Sequence, residues 1–74
     1  MGDAAQVPQD GHLITVNHYS YGYVVSHTLN NKLVYTATYH NRMDALRSAE
    51  KVADSLRIEG ADVYMQVSPN VHFG

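Results

Sequence analysis

Tyrosine, histidine and carboxylate side chains are the groups in this sequence that could do chemistry. It holds six Tyr, five His and seven Asp or Glu in 74 residues, with no Cys and no Trp. Tyr19, Tyr21 and Tyr23 fall together in the run YSYGY. Tyr offers a large amphipathic surface at low entropic cost, and binding loops collect it alongside Ser and Gly. Tyr19 and Tyr21 sit in a turn and are expected to be exposed to a partner. Tyr23, Tyr35 and Tyr39 are expected in ordinary cross-strand packing.

His12, His18, His27, His40 and His72 show no H-x-x-x-H or similar ligand spacing, and no acid recurs beside them, so neither a metal nor a cofactor is expected. His27 shares the parity of Val25 and Leu29 and reads as a core or edge histidine; His40 reads as a linker to a helix cap. An interface sensitive to pH near about 6 suits these positions better than a metal site. Without Cys there is no disulfide scaffold, thiolate zinc site or thiol nucleophile. G-x-S-x-G, G-x-x-x-x-G-K, G-x-G-x-x-G and H-E-x-x-H are all missing from the sequence. The carboxylates fall mostly on one helix face or near the N-terminus, where nothing tunes them for acid–base work, so no enzymatic activity is expected. Five Lys or Arg against seven Asp or Glu, a net charge of −2, is not the footprint of a phosphate-gripping surface, and nucleic acid is not an expected partner. No apolar run approaches the roughly 18 residues needed to span a membrane, and the N-terminus lacks the order of a signal peptide. A cytoplasmic location is expected.

These residues must be positioned by a small framework. A chain of this length makes one domain and buries only about 60% of its unfolded surface, so its core is one layer deep and a partner chain would help it. Residues 1–11 (MGDAAQVPQDG) are small, polar and broken by Pro8 and Gly11, which predicts a flexible tail ahead of a single α+β domain over 12–74. From His12 to Asn17, Ile14 and Val16 alternate with Thr15 and Asn17, the period of a half-buried strand. Gly22 marks a turn. Tyr23–Leu29 and Leu33–Tyr39 are rich in β-branched and aromatic residues and complete a meander about Asn30-Asn31. A three-residue loop there would pair odd with odd positions and put Tyr23, Val25, His27, Leu29, Leu33, Tyr35, Ala37 and Tyr39 on one face; a two-residue loop would mix the faces, so the three-residue loop is expected.

Asn41 is a good helix N-cap, with Asp44 three residues on as in a capping box. Ala45, Leu46, Ala49, Val52, Ala53 and Leu56 then form an apolar stripe, Gly60 stands at the C-cap position, and Arg47, Glu50, Lys51, Asp54 and Arg57 line the opposite side. Val63, Met65 and Val67 alternate again in a fourth strand, and Val71–Phe73 has the composition for a short last one. The expected order is β-β-β-α-β, an antiparallel sheet of three to five strands with one helix packed on one face.

Four of the five basic residues (Arg42, Arg47, Lys51 and Arg57) lie on the helix, as do Asp44, Glu50, Asp54 and Glu59. Between Gly11 and His40 the only Lys, Arg, Asp or Glu is Lys32, at a turn. The sheet face away from the helix is therefore expected to be neutral: Leu13, Thr15, Asn17, Val24, Ser26, Thr28, Val34, Thr36 and Thr38. Soluble sheets usually guard exposed faces and edges with charge, so this face is suited to packing against protein. Thr15, Asn17, Ser26, Thr28, Thr36 and Thr38, with Tyr19 and Tyr21, are the candidate partner-binding residues.

From Tyr21 onward the order YGYVV, turn, Thr/Tyr strand, DALRSAEKVADSL and VYMQV resembles a group of very small phage and bacterial proteins that includes some phage anti-CRISPR inhibitors. Many such inhibitors are acidic mimics of nucleic acid. The small net charge and mixed-sign helix depart from that pattern, so the resemblance implies steric blocking of a bacterial defence complex. The expected function is a non-catalytic protein–protein interaction module of that inhibitor type, with a homodimer through the neutral face as one form. The alternative is a small ligand- or RNA-binding domain using the Tyr- and His-rich strands.

Overall fold

The computed structural model describes residues 11–73, and side chains as far as Val71. Of the expected N-terminal tail, residues 1–10 lie outside the described residues, as does Gly74. Gly11 is buried, and its carbonyl accepts a hydrogen bond from the Asn30 N–H at 3.4 Å.

Three strands of alternating pattern, β1 (His12–Tyr19), β2 (Gly22–Leu29) and β3 (Lys32–Tyr39), form an antiparallel meander. Helix α1 (Arg42–Ile58) then carries the chain back along the sheet, and β4 (Val63–Val67) follows it. The strand order is β3-β2-β1-β4. The architecture is thus α+β, with four strands and one long helix packed on one sheet face.

Three details depart from the sequence reading. The sheet is mixed, because β4 pairs with β1 in parallel, Ile14 opposite Met65 and Val16 opposite Val67. Running α1 the length of the sheet between β3 and β4 reverses the chain twice, so β4 points the way β3 and β1 do; a hairpin could not achieve this. The last segment is not a strand. Asn70–Phe73 is a short helical turn, α2, in which the Val71 N–H donates to the Ser68 carbonyl at 3.0 Å. Pro69 cannot donate to a ladder and ends β4 there. The turn drops Val71, fully buried, into the open end of the core.

The meander reaches its register by a different route from the one expected. The loop is two residues, with Leu29 opposite Lys32, and Asn30 and Asn31 adopt φ of 55° and 68°. This is the backbone of a tight hairpin turn whose twist matches the flanking strands. A bulge at His27/Thr28 then shifts the ladder by one residue, so that His27 faces Tyr35, Val25 faces Ala37 and Tyr23 faces Tyr39. Odd pairs with odd, as segregation of the faces demands, but the bulge accomplishes it and not the loop. Leu33 pays the difference: it pairs with Thr28, falls on the face away from the helix and is 63% exposed.

Between sheet and helix lie Ile14, Val16, Val25, Ala45, Ala49, Ala53 and Val71, all buried. The three alanines recur every four residues, and their small side chains let α1 lie close to the sheet. Asn41 caps the helix, its side-chain oxygen accepting from the N–H of Met43 at 2.7 Å and of Asp44 at 3.4 Å. On the solvent side Arg57 and Asp54 pair at 3.5 Å. The Tyr39 hydroxyl and Ser48 Oγ, 2.7 Å apart, tie β3 to the helix.

Candidate functional site

The face of the sheet opposite α1 is built by alternation alone: every strand residue that does not point at the helix points here. Cross-strand pairing sorts it into three rows. Thr15 lies between Ser26 and Gln66, and Ser26 pairs onward with Thr36, giving a polar row four strands wide. Toward one end, Leu13 lies between Thr28 and Tyr64, and Thr28 pairs with Leu33. Toward the other, Asn17 pairs with Val24, and Val24 with Thr38. Among the described residues no element covers this face. Thr15, Asn17, Ser26 and Thr28 are half-buried by their neighbours, and Thr36 and Thr38 on edge strand β3 are exposed.

The six sheet residues singled out from the sequence therefore share one surface. Sequence reasoning omitted β4 from it. Tyr64, 44% exposed, and Gln66 complete two of the rows, and their alternation with Val63, Met65 and Val67 was the signal that could have placed them. An open depression of about 210 Å³ lies over β1 and β4, lined by Thr15, Asn17, Gln66 and Ser68. Hydroxyl and amide groups of this kind both donate and accept hydrogen bonds and carry no charge.

Tyr19 and Tyr21 stand at the end of the β1–β2 hairpin. Their rings stack with centroids 5.4 Å apart and 7° between planes, and they are 46% and 63% exposed. Gly22 makes this turn: its φ is +145°, and a Cβ there would lie 2.7 Å from the Tyr39 carbonyl oxygen. Only Gly fits.

On the helix side of the sheet the histidines pair off. His18 stacks on Tyr23 at 4.2 Å, and its backbone N–H and C=O hold the side chain of Asn70, at 3.3 and 3.0 Å. His12 Nδ1 and His27 Nε2 are 2.8 Å apart, one ring donating and the other accepting. Burial, and then the neighbouring His12, push the His27 imidazole below its ordinary pKa. The Tyr35 phenol is held above its ordinary value, chiefly by its hydrogen bond with Tyr39. Among the described residues no group of three or more His, Asp or Glu is placed to hold a metal ion, and no helix is long and apolar enough to cross a membrane.

Comparison with protein-family models, with curated proteins and with solved structures finds no match to this chain.

Proposed function

We propose that this chain is a non-catalytic module that docks a protein partner on the open face of its sheet, with the stacked Tyr19 and Tyr21 at one end of the contact. One observation carries the reading: a surface four strands wide bears no Asp, Glu, Lys or Arg. Interface cores are depleted in charge and enriched in Tyr, whereas a face selected only for solvation normally carries charge. The hydroxyl and amide rows would supply hydrogen bonds across the contact, and Leu13, Val24 and Tyr64 its apolar area. Nucleic acid fits poorly, because single-strand binders set their aromatics beside a basic groove, and here the nearest cation on the sheet is Lys32 at the β2–β3 turn.

A steric inhibitor of a bacterial defence complex is the particular form of this function that the resemblance to anti-CRISPR proteins implies. It would work inside the cell and would need no cofactor.

The test is affinity capture with the wild-type chain and with a Thr15→Lys/Ser26→Lys variant, followed by mass spectrometry. A protein retained by the wild type, lost with the variant and only weakly sensitive to salt supports the reading. Retention of nucleic acid with a steep salt dependence overturns it. Expression in bacteria with an active CRISPR–Cas system tests the inhibitor form: phage should regain plaquing, and the variant should abolish the effect.

A further inference from the structure

Four polar side chains meet over β1 and β4 without bonding to the protein. Thr15 and Asn17 stand on β1, Gln66 on β4 opposite Thr15, and Ser68 where β4 ends; together they line the open depression of about 210 Å³. Among the described residues, none of these four side chains hydrogen-bonds to another protein group. Thr28, on the same face, differs: its Oγ donates to the Leu13 carbonyl at 3.4 Å. The walls of the depression are fixed from behind. The Ser68 N–H donates to the Val16 carbonyl at 2.9 Å, and the Asn70 carboxamide bonds both the N–H and the C=O of His18. Donors and acceptors already held on paired strands cost little to order when a ligand arrives. Alternation continues the β1 row from Asn17 to Tyr19, about 7 Å along the strand. Stacked as they are, Tyr19 and Tyr21 cover only one face of each other's ring, and both remain exposed.

We propose that this depression binds a neutral pyranose sugar, with the sugar ring packed on Tyr19. Charge decides against an ion. An anion would call for Lys or Arg and a cation for Asp or Glu, and neither kind lines the depression. Its hydroxyl and carboxamide groups both donate and accept, as the hydroxyls of a sugar do. Size decides against a large ligand. The volume is below the roughly 300 Å³ at which sites for drug-sized molecules begin, so it suits a single ring. The tyrosine decides between a sugar and a simple amide. A pyranose has an apolar face of C–H groups that can lie on an aromatic ring, and a carboxamide has none to offer. Being shallow and open, the site binds weakly, with a dissociation constant of roughly 1 mM, and without ion pairs it is insensitive to salt. It needs only the β1–β4 corner of the sheet and does not rest on a protein docking over the remainder of the face.

The experiment is an amide NMR titration of the full chain with the methyl pyranosides of glucose, galactose, mannose and N-acetylglucosamine, with propionamide as the carboxamide control. Each is taken to about ten times the expected dissociation constant. At least one pyranoside should shift the amide signals of Thr15, Asn17, Tyr19, Gln66 and Ser68 saturably. Asn17→Ala and Tyr19→Ala should each weaken that binding roughly tenfold, while the rest of their spectra, unmoved, shows that they fold. Tyr19→Phe keeps the ring and should bind as the wild type does. So should Thr36→Lys, which is two strands and about 10 Å from β1 and separates this site from docking across the sheet. The assignment is overturned if no pyranoside gives saturable shifts, or if propionamide reproduces them at the same concentrations. Full affinity in both alanine variants, or binding lost with Thr36→Lys, would overturn it as well.

Discussion

At the residue scale, the His12–His27 pair links β1 to β2 through a hydrogen bond that exists only while at least one ring is neutral. The folded His27 has a lowered pKa, so the unfolded chain binds more protons as the pH falls below the ordinary value of about 6.5. The pair's contribution is thus present above that pH and is lost as the pH falls through the folded value. Urea midpoints measured at pH 7.5 and 5.0 should drop in acid for the wild type and change less for His27→Gln. An equal drop in both would place the acid sensitivity elsewhere. At Gly22, the φ of +145° and the approach of the Tyr39 carbonyl act together, so Gly22→Ala should cost more than about 1 kcal/mol in urea unfolding. Parity in the sequence assigned His27 its face, but not its partner. Which of four other histidines it meets depends on strand register, and no local spacing encodes that.

At the element scale, the β2–β3 hairpin shows local and global preferences reconciled. Asn30 and Asn31 accept left-handed conformations at low cost, which favours a two-residue turn, whereas the apolar pattern needs odd residues opposite odd ones. Both demands are met because a bulge inserts one residue. Replacing Asn30-Asn31 by Ala-Ala should destabilise the protein by about 2 kcal/mol, since each Ala is forced to positive φ, whereas Asn31→Gly should be neutral or slightly stabilising; thermal melts would show both. Helix α1 was legible in full from its cap, stripe and C-terminal Gly, because a helix is specified by neighbours within four residues. Its close approach to the sheet rests on the buried Ala45, Ala49 and Ala53. Ala49→Leu should overpack that contact and cost about 1–3 kcal/mol, read as a lower urea midpoint. The last segment was misread as a strand because Val71–Phe73 is too short for periodicity to separate the two forms; Pro69 and the need to plug the end of the core decided for a helical turn.

For the whole molecule, one helix covers one face of a four-stranded sheet, and a domain this small has nothing left, among the described residues, to cover the other. The uncovered face and the free edge β3 are its two unsatisfied surfaces.

Sequence alone was sufficient for the four strands, the long helix, the parity that divides most strand residues between core and open face, and the near absence of charge from the strands. All of these follow from interactions between residues close in the chain and from the period of two or 3.6 that each element imposes. Tertiary structure decided that β4 runs parallel beside β1, that a bulge moves Leu33 to the outside, that His12 meets His27, and that β3 is left as a long free edge. Each of these depends on which distant segments become neighbours, and that is settled by burying the most apolar surface across the whole sheet at once.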